Sequence, residues 1–234
     1  MSRSLLKEIR GKFSVDSSAS NFLDNLMSIS TVYLFGGAIR DFFDNSLDSS
    51  RDFDFVIETR PGISIDYISL CETLDNVQCK KNRYDGYKII FNNLINVDVW
   101  NLEDTWAFRT KKLKPSANNL LKSVYLNIDA LVFSLNSNTF LDNCDSVYMN
   151  IRKNHLIDIV FEETPFEELN LLRALVLQKK YSYNLSTRLS QRLKSNFGND
   201  VISAIEILTA LQKAHYKKEV LDEYELTSIL HHLG

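Results

Sequence analysis

The chain has 234 residues, 44% of them apolar, and a formal net charge of −3 with an isoelectric point near 5.8. That is apolar material enough for one large domain or two modest ones. The slightly acidic balance excludes a globally basic nucleic-acid binder, so any RNA or DNA contact must come from a local basic patch.

Residues 1–30 read as helical, with Leu5, Leu6 and Ile9, then Phe22, Leu23 and Leu26, on recurring faces and a serine-rich break over 14–20 between two pieces. The apolar run Val32-Tyr33-Leu34-Phe35 predicts a buried strand over 31–35 that enters a turn at Gly36-Gly37, with a helix from Ala38. A glycine pair at a helix start lets a phosphate approach free backbone N–H groups at the positive end of the dipole. Asp-Phe-Asp-Phe-Val-Ile over 52–57 predicts a second strand, in which Asp52 and Asp54 share one face while Phe53, Phe55 and Ile57 take the other. A helix is expected over 64–74, then strands over 77–81 and 87–91 flanking the hairpin signal Asp85-Gly86. A further strand over 97–102 carries Asp98 on the face opposite Val97 and Val99. Helical pattern is expected over 105–112 and 119–125, and a short strand over 130–135. From Pro165 the period is helical, with Thr164 as N-cap, Pro165 at the first helical position and Leu169, Leu172, Leu175 and Val176 on one face. Further helices are expected over 186–197, 200–215 and 218–232.

Seven glycines and three prolines leave little room for linkers, and there is no internal repeat. The expected class is α+β: an N-terminal mixed β-sheet with flanking helices over 1–160, followed by an all-helical part over 161–234. Cys71, Cys79 and Cys144 are odd in number and lack CxxC or Cys/His ligand spacing, which suits reduced thiols in the cytoplasm. There is no signal-like apolar core and no run of about eighteen apolar residues, so a cytoplasmic chain with no membrane partner is expected.

The chemistry lies in the carboxylates. Asp52, Asp54 and Asp98, from two neighbouring strands, could hold two Mg²⁺ ions about 3.5–4 Å apart, the spacing that clamps the attacking and leaving oxygens of a phosphoryl transfer. Mg²⁺ favours hard oxygen ligands and binds a few carboxylates together with substrate phosphates. Asp52 and Asp54 would bridge metals and triphosphate, and Asp98 would bind the second metal and help activate an acceptor hydroxyl. Arg109, Lys111, Lys112 and Lys114 form the densest basic run, either a solvated helix face or a contact for triphosphate or RNA backbone. Lys179, Lys180, Arg188, Arg192 and Lys194, with Tyr181 and Tyr183 interleaved, fit an ordinary amphipathic helix pair, or else a cradle for single-stranded RNA. Trp100 and Trp106 are expected in or beside the core, and His155, His215, His231 and His232 on the surface or at caps.

Gly36-Gly37-x-x-Arg40-Asp41 together with Asp52-x-Asp54 resembles the head-domain motif of nucleotidyltransferases of the DNA polymerase β superfamily, most similar to class II CCA-adding enzymes and bacterial poly(A) polymerases. The resemblance covers roughly residues 30–135, and more vaguely the helix over 165–181. It implies a mixed sheet with helices on one side, a two-Mg²⁺ site at Asp52, Asp54 and Asp98, and transfer of a nucleoside monophosphate from an NTP with release of pyrophosphate. Gly36, Gly37, Arg40, Asp41, Arg109, Lys112 and Arg173 are the nucleotide-binding set that follows. The chain departs from the family in two places. Val124-Tyr125-Leu126-Asn127-Ile128-Asp129-Ala130 lacks the Arg-Asp pair of the family's RRDFTINA segment, and Asn170 stands where the base-reading arginine of the EDxxR helix would be, with Glu167 at the aspartate. These departures, with the short length, point to a stand-alone nucleotidyltransferase of the toxin–antitoxin or phage-defence sort. Its acceptor would be first an RNA such as a tRNA 3′ end, then a protein or a small molecule, and it would have a neutralising or complex partner protein. The rival is a catalytically silent nucleotide- or RNA-binding module.

Overall fold

The structure is a computed structural model and describes residues 4–82, 84–198 and 200–233; residues 1–3 of the N-terminal helical expectation lie outside these, as does the side chain of His232. The chain forms two compact units, Met1–Ser123 with Asp129–Ser146, and Val124–Ile128 with Val147–Gly234.

The first unit contains α1 (Leu5–Phe13), α2 (Ser17–Ile29), β1 (Ser30–Phe35), α3 (Gly37–Phe43), β2 (Asp52–Thr59), α4 (Tyr67–Glu72), β3 (Val77–Lys81), β4 (Tyr87–Phe91), β5 (Ile95–Asn101), α5 (Trp106–Arg109), α6 (Ala117–Leu120), β6 (Val132–Ser134) and β7 (Thr139–Phe140). Its seven strands make one mixed sheet in the order β3-β4-β5-β2-β1-β6-β7, in which only the β2–β5 pair is parallel. One face of the sheet is the core. Phe53, Phe55, Ile57, Val97, Val99, Ile89 and Phe91 are all buried there. Helices α1 and α2 cover that face: Phe13 packs on Phe53 and Phe55 at ring separations of 5.2 and 5.7 Å, and Phe22 lies 5.4 Å from Phe91. Each such side chain contributes roughly 1.5–3 kcal/mol through removal from water. The helices start where side chains can satisfy their first N–H groups, as at Asp16, which accepts from the Ala19 amide at 2.9 Å.

Helix α7 (Cys144–Asn154) carries the chain onward. The second unit contains β8 (Leu156–Ile157), α8 (Glu167–Tyr181), β9 (Asn184–Leu185), α9 (Thr187–Phe197), α10 (Val201–Tyr216) and α11 (Glu223–Leu233). The segment 124–128 belongs to it through an antiparallel bridge between Leu126 and Ile159 and the Asn127 amide on the Asp158 carbonyl at 2.9 Å.

The α+β class and the flanked sheet hold. Several local expectations do not. The helices over 105–112 and 119–125 are single turns, because Lys111 adopts a left-handed conformation (φ 58°) and Ser116 caps a new start. The break between the first two helices is shorter than the serine run, since Ser17 begins α2. The C-terminal region is interrupted by β9, which pairs in parallel with β8. Helix α8 begins at Glu167 rather than Pro165, and Thr164 instead accepts the Asn170 side-chain amide at 2.8 Å and the Phe166 N–H at 3.3 Å. All three cysteines are free. Among the described residues no helix is long and apolar enough to cross a membrane.

Candidate active site

Strand β1 delivers the chain to Gly36, which takes φ 63°, ψ −114°, a conformation that side-chain-bearing residues rarely adopt. Its N–H is held by the Leu131 carbonyl at 2.9 Å, so the turn is fixed between β1 and the segment leading into β6. Helix α3 follows at Gly37, and the two charged sequence-predicted residues on it are tied to protein partners. The Arg40 guanidinium pairs with the Asp129 carboxylate, their side chains only 12% and 13% exposed. Asp41 accepts the Ser50 hydroxyl with its carboxylate and the Ser46 N–H with its carbonyl at 2.8 Å. Asp41 thereby fastens the loop that brings the chain back into β2 and so positions Asp52.

The sheet face opposite the core carries the acids in rows. One row runs Lys88 (β4), Asp98 (β5), Asp54 (β2), Phe35 (β1), each opposite the next in register. The neighbouring row runs Ile90, Asn96, Asp52. With adjacent strands about 4.8 Å apart, Asp54 and Asp98 are direct neighbours, and Asp52 lies one strand repeat away on the same face. Asp54 and Asp98 are half-buried and Asp52 is exposed. The Asn96 amide donates to Asp52 Oδ1 at 2.9 Å, and Lys88 Nζ stands 3.5 Å from Asp98 Oδ2. Trp100 lies in a third row, half-buried and edge-on to Phe35 at 6.2 Å, so it borders the acid face instead of filling the core. On the same face the Tyr33 hydroxyl donates to Glu58 Oε2 at 2.6 Å; burial first, then Glu58, hold that hydroxyl well above its usual range.

Among the described residues no three Asp, Glu, His or Cys side chains are grouped closely enough to cage an ion as they stand. The donor chemistry nonetheless fits Mg²⁺. Three carboxylates share one face, two of them in direct register, and Asp52 and Asp98 are turned toward Asn96 and Lys88.

The remaining predicted residues are dispersed. Arg109 donates to the Tyr84 carbonyl at 2.9 Å and pairs with Asp85 at 2.9 Å, which braces the turn between β3 and β4. Lys81 and then Arg109 hold the Asp85 carboxyl below its ordinary value. Lys112 is exposed just beyond α5. Arg173 lies on α8 in the second unit, where burial first, and then Arg173 and Lys217, keep the His215 imidazole below its usual value. Three of the five C-terminal basic residues are charge-compensated: Arg188 faces Asp158 and Glu162, Arg192 faces Glu162 and Glu167, and Lys179 pairs with Glu225 at 2.6 Å. That is the pattern of a solvated helix pair. His155 stacks on Tyr183 at 5.1 Å.

Sequence reasoning missed Lys88, Asn96 and Asp129. Lys88 was recoverable. The two asparagines Asn92 and Asn93, both left-handed (φ 47° and 59°), make a tight turn whose register places residue 88 opposite 98. Asp129 carried no local signal, since its partner is 89 residues away.

No protein-family model matches the chain, and no curated protein matches its sequence. Solved structures share its fold. A CCA-adding enzyme in complex with CTP superposes with a TM-score of 0.65 at 14% identity over 99% of this chain and 55% of that one. The Thermotoga maritima CCA-adding enzyme complexed with tRNA gives 0.64 at 14% identity over 99% and 54%. A tRNA-processing enzyme with CTP gives 0.56 at 19% identity over 87% and 52%. The chain thus shares its fold with these structures at low sequence identity, and it spans about half the length of those chains.

Proposed function

We propose that this protein is a Mg²⁺-dependent nucleotidyltransferase that moves a nucleoside monophosphate from an NTP to an acceptor hydroxyl on RNA, a tRNA 3′ end being the first choice. The observation that carries the reading is the placement of Asp54 opposite Asp98 on adjacent parallel strands, with Asp52 on the same face and the Gly36 turn at the end of the neighbouring strand. The fold shared with a CCA-adding enzyme in complex with CTP and another with tRNA supports the choice of nucleotide and RNA.

In this reading the acceptor oxygen bonds to the α-phosphorus, the bond from that phosphorus to the bridging oxygen breaks, and pyrophosphate leaves. Asp52, Asp54 and Asp98 would hold two Mg²⁺ ions, which would supply neutralisation of the triphosphate and polarisation of the acceptor hydroxyl. Asp98, on the strand beside Asp54, is the carboxylate placed to take the acceptor proton or to pass it to water. Arg40, engaged with Asp129, holds α3 and the glycine turn in place while the Gly36–Gly37 backbone receives phosphate.

The test is incubation of the purified chain with each α-labelled NTP, Mg²⁺ and total RNA. Label should appear on RNA, and Asp54→Asn should lower the rate by at least about a hundredfold, beyond what loss of an outer-shell partner costs. Label on protein or on a small molecule instead would move the acceptor assignment. No transfer in any fraction, with Asp54→Asn equal to wild type, would end the enzyme reading. A silent nucleotide-binding module is the second reading, and one observation favours it: Asn170, at the expected base-reading position, is spent on Thr164. The toxin or defence role is tested by expression, where growth arrest should vanish in Asp52→Ala.

A further inference from the structure

Two lysines lie side by side on the acid face, Lys80 on β3 and Lys88 on β4, and Lys88 is the one set against an acid, which gives it a task. Lys88 stands directly opposite Asp98 on the adjoining strand with Nζ 3.5 Å from the carboxylate, in the same row as Asp54. Its side chain is 44% exposed, so the ammonium can swing toward solvent or a ligand. Asp98 is the carboxylate expected to hold the second cation, and a bound Lys88 ammonium and a divalent ion compete for it by simple charge repulsion. The side-chain arrangement agrees, since no three-ligand cage exists among the described residues while Asp98 faces Lys88 and Asp52 faces Asn96.

We infer that Lys88 is a positioning residue that acts as an internal counter-ion: it occupies Asp98 in the nucleotide-free chain and transfers to the triphosphate when substrate arrives, releasing Asp98 to the second cation. Cation loading is thereby linked to the presence of a polyphosphate. A triphosphate offers several anionic oxygens to an ammonium, a stronger partner than one half-exposed carboxylate. This inference rests on the proposed function, because it assumes that the carboxylates take divalent ions and that a triphosphate binds beside them.

The experiment uses the full chain with two separate ligands at low ionic strength. Mn²⁺ binding without nucleotide is followed by the loss of the free-ion EPR signal, and inorganic tripolyphosphate binding is followed by calorimetry in metal-free buffer with EDTA. Lys88→Met should bind Mn²⁺ about tenfold more tightly and tripolyphosphate about tenfold more weakly, while Lys88→Arg stays near wild type on both. The opposite signs matter, because a folding defect weakens both. Should Lys88→Met fail to fold by circular dichroism, Lys88→Gln makes the same two measurements. Mn²⁺ binding that is equal in wild type and Lys88→Met, or tripolyphosphate binding that is unchanged, overturns the inference and leaves the proposed function standing. Mn²⁺ binding that is absent from wild type and variant alike also overturns the inference, while the proposed function is decided separately by the transfer assay.

Discussion

The Arg40–Asp129 pair makes a prediction that separates stability from substrate contact. Both side chains are nearly nine-tenths buried, and the Arg40 Nε has no hydrogen-bond partner among the described residues. Asp129→Ala therefore leaves a desolvated guanidinium with its main counter-charge removed, a change that typically costs about 3–5 kcal/mol. For a chain of this length each kcal/mol moves the melting temperature by about 2–4 °C, so the expected fall is about 6–20 °C. The double variant Arg40→Met/Asp129→Leu, which removes both charges and keeps apolar volume, should return to within about 1 kcal/mol of wild type. Urea unfolding followed by tryptophan fluorescence is the assay, because Trp100 and Trp106 are the only tryptophans and both lie in the first unit. A loss below about 1 kcal/mol in Asp129→Ala, or a double variant as unstable as the single, would refute the reasoning and return Arg40 to the role of a substrate contact.

Two further outcomes concern the second unit. Gln212 is fully buried, donates to the Leu221 carbonyl at 3.0 Å and accepts the Val220 and Leu221 amides at 2.8 and 2.7 Å. Gln212→Leu orphans those backbone groups at about 1–3 kcal/mol each, so the helical circular-dichroism signal should be lost at clearly lower urea, and an unchanged midpoint would contradict the network. Burial, Arg173 and Lys217 keep His215 below its ordinary value, so the fold favours the neutral ring. The unfolded chain takes up the proton first as pH falls through about 6.5, so this contribution is present above that pH and lost below it. The urea midpoint should fall as pH goes from about 7 to 5, and His215→Gln should flatten that slope; an equally steep fall in the variant would exclude His215 as the cause.

What the sequence made legible was what repeats locally. The alternation Asp-Phe-Asp-Phe has period two, so a single strand declares both its faces, and β2 carries Phe53 and Phe55 into the core and Asp52 and Asp54 out of it. The turn at Gly36 was readable for the same reason, because the glycine and the backbone it serves are adjacent, whereas the one cap read from the sequence, Thr164, lies ahead of a helix that starts at Glu167. Charges were not readable in this way. Arg40, Arg109, Arg188 and Arg192 all resemble ligand contacts in one dimension, yet each meets an acid from another element: Asp129, Asp85, Asp158 with Glu162, and Glu162 with Glu167.

The same argument, applied to the acids, singles out β2 and β5. Carboxylates set side by side repel, and a structure with no use for them gains by losing or pairing them. Here pairing is partial and asymmetric. Asp52 has a neutral amide and Asp98 a half-exposed lysine, whereas the Arg40–Asp129 pair on α3 is enclosed. The difference is one of burial: the enclosed pair is a fixed joint, since breaking it strands a charge away from water, while the exposed one costs about 0–1 kcal/mol to open. A ligand that brings either a cation for Asp98 or an anion for Lys88 can therefore separate the second pair and leave the first intact, which is the property a loading site needs and a structural salt bridge lacks.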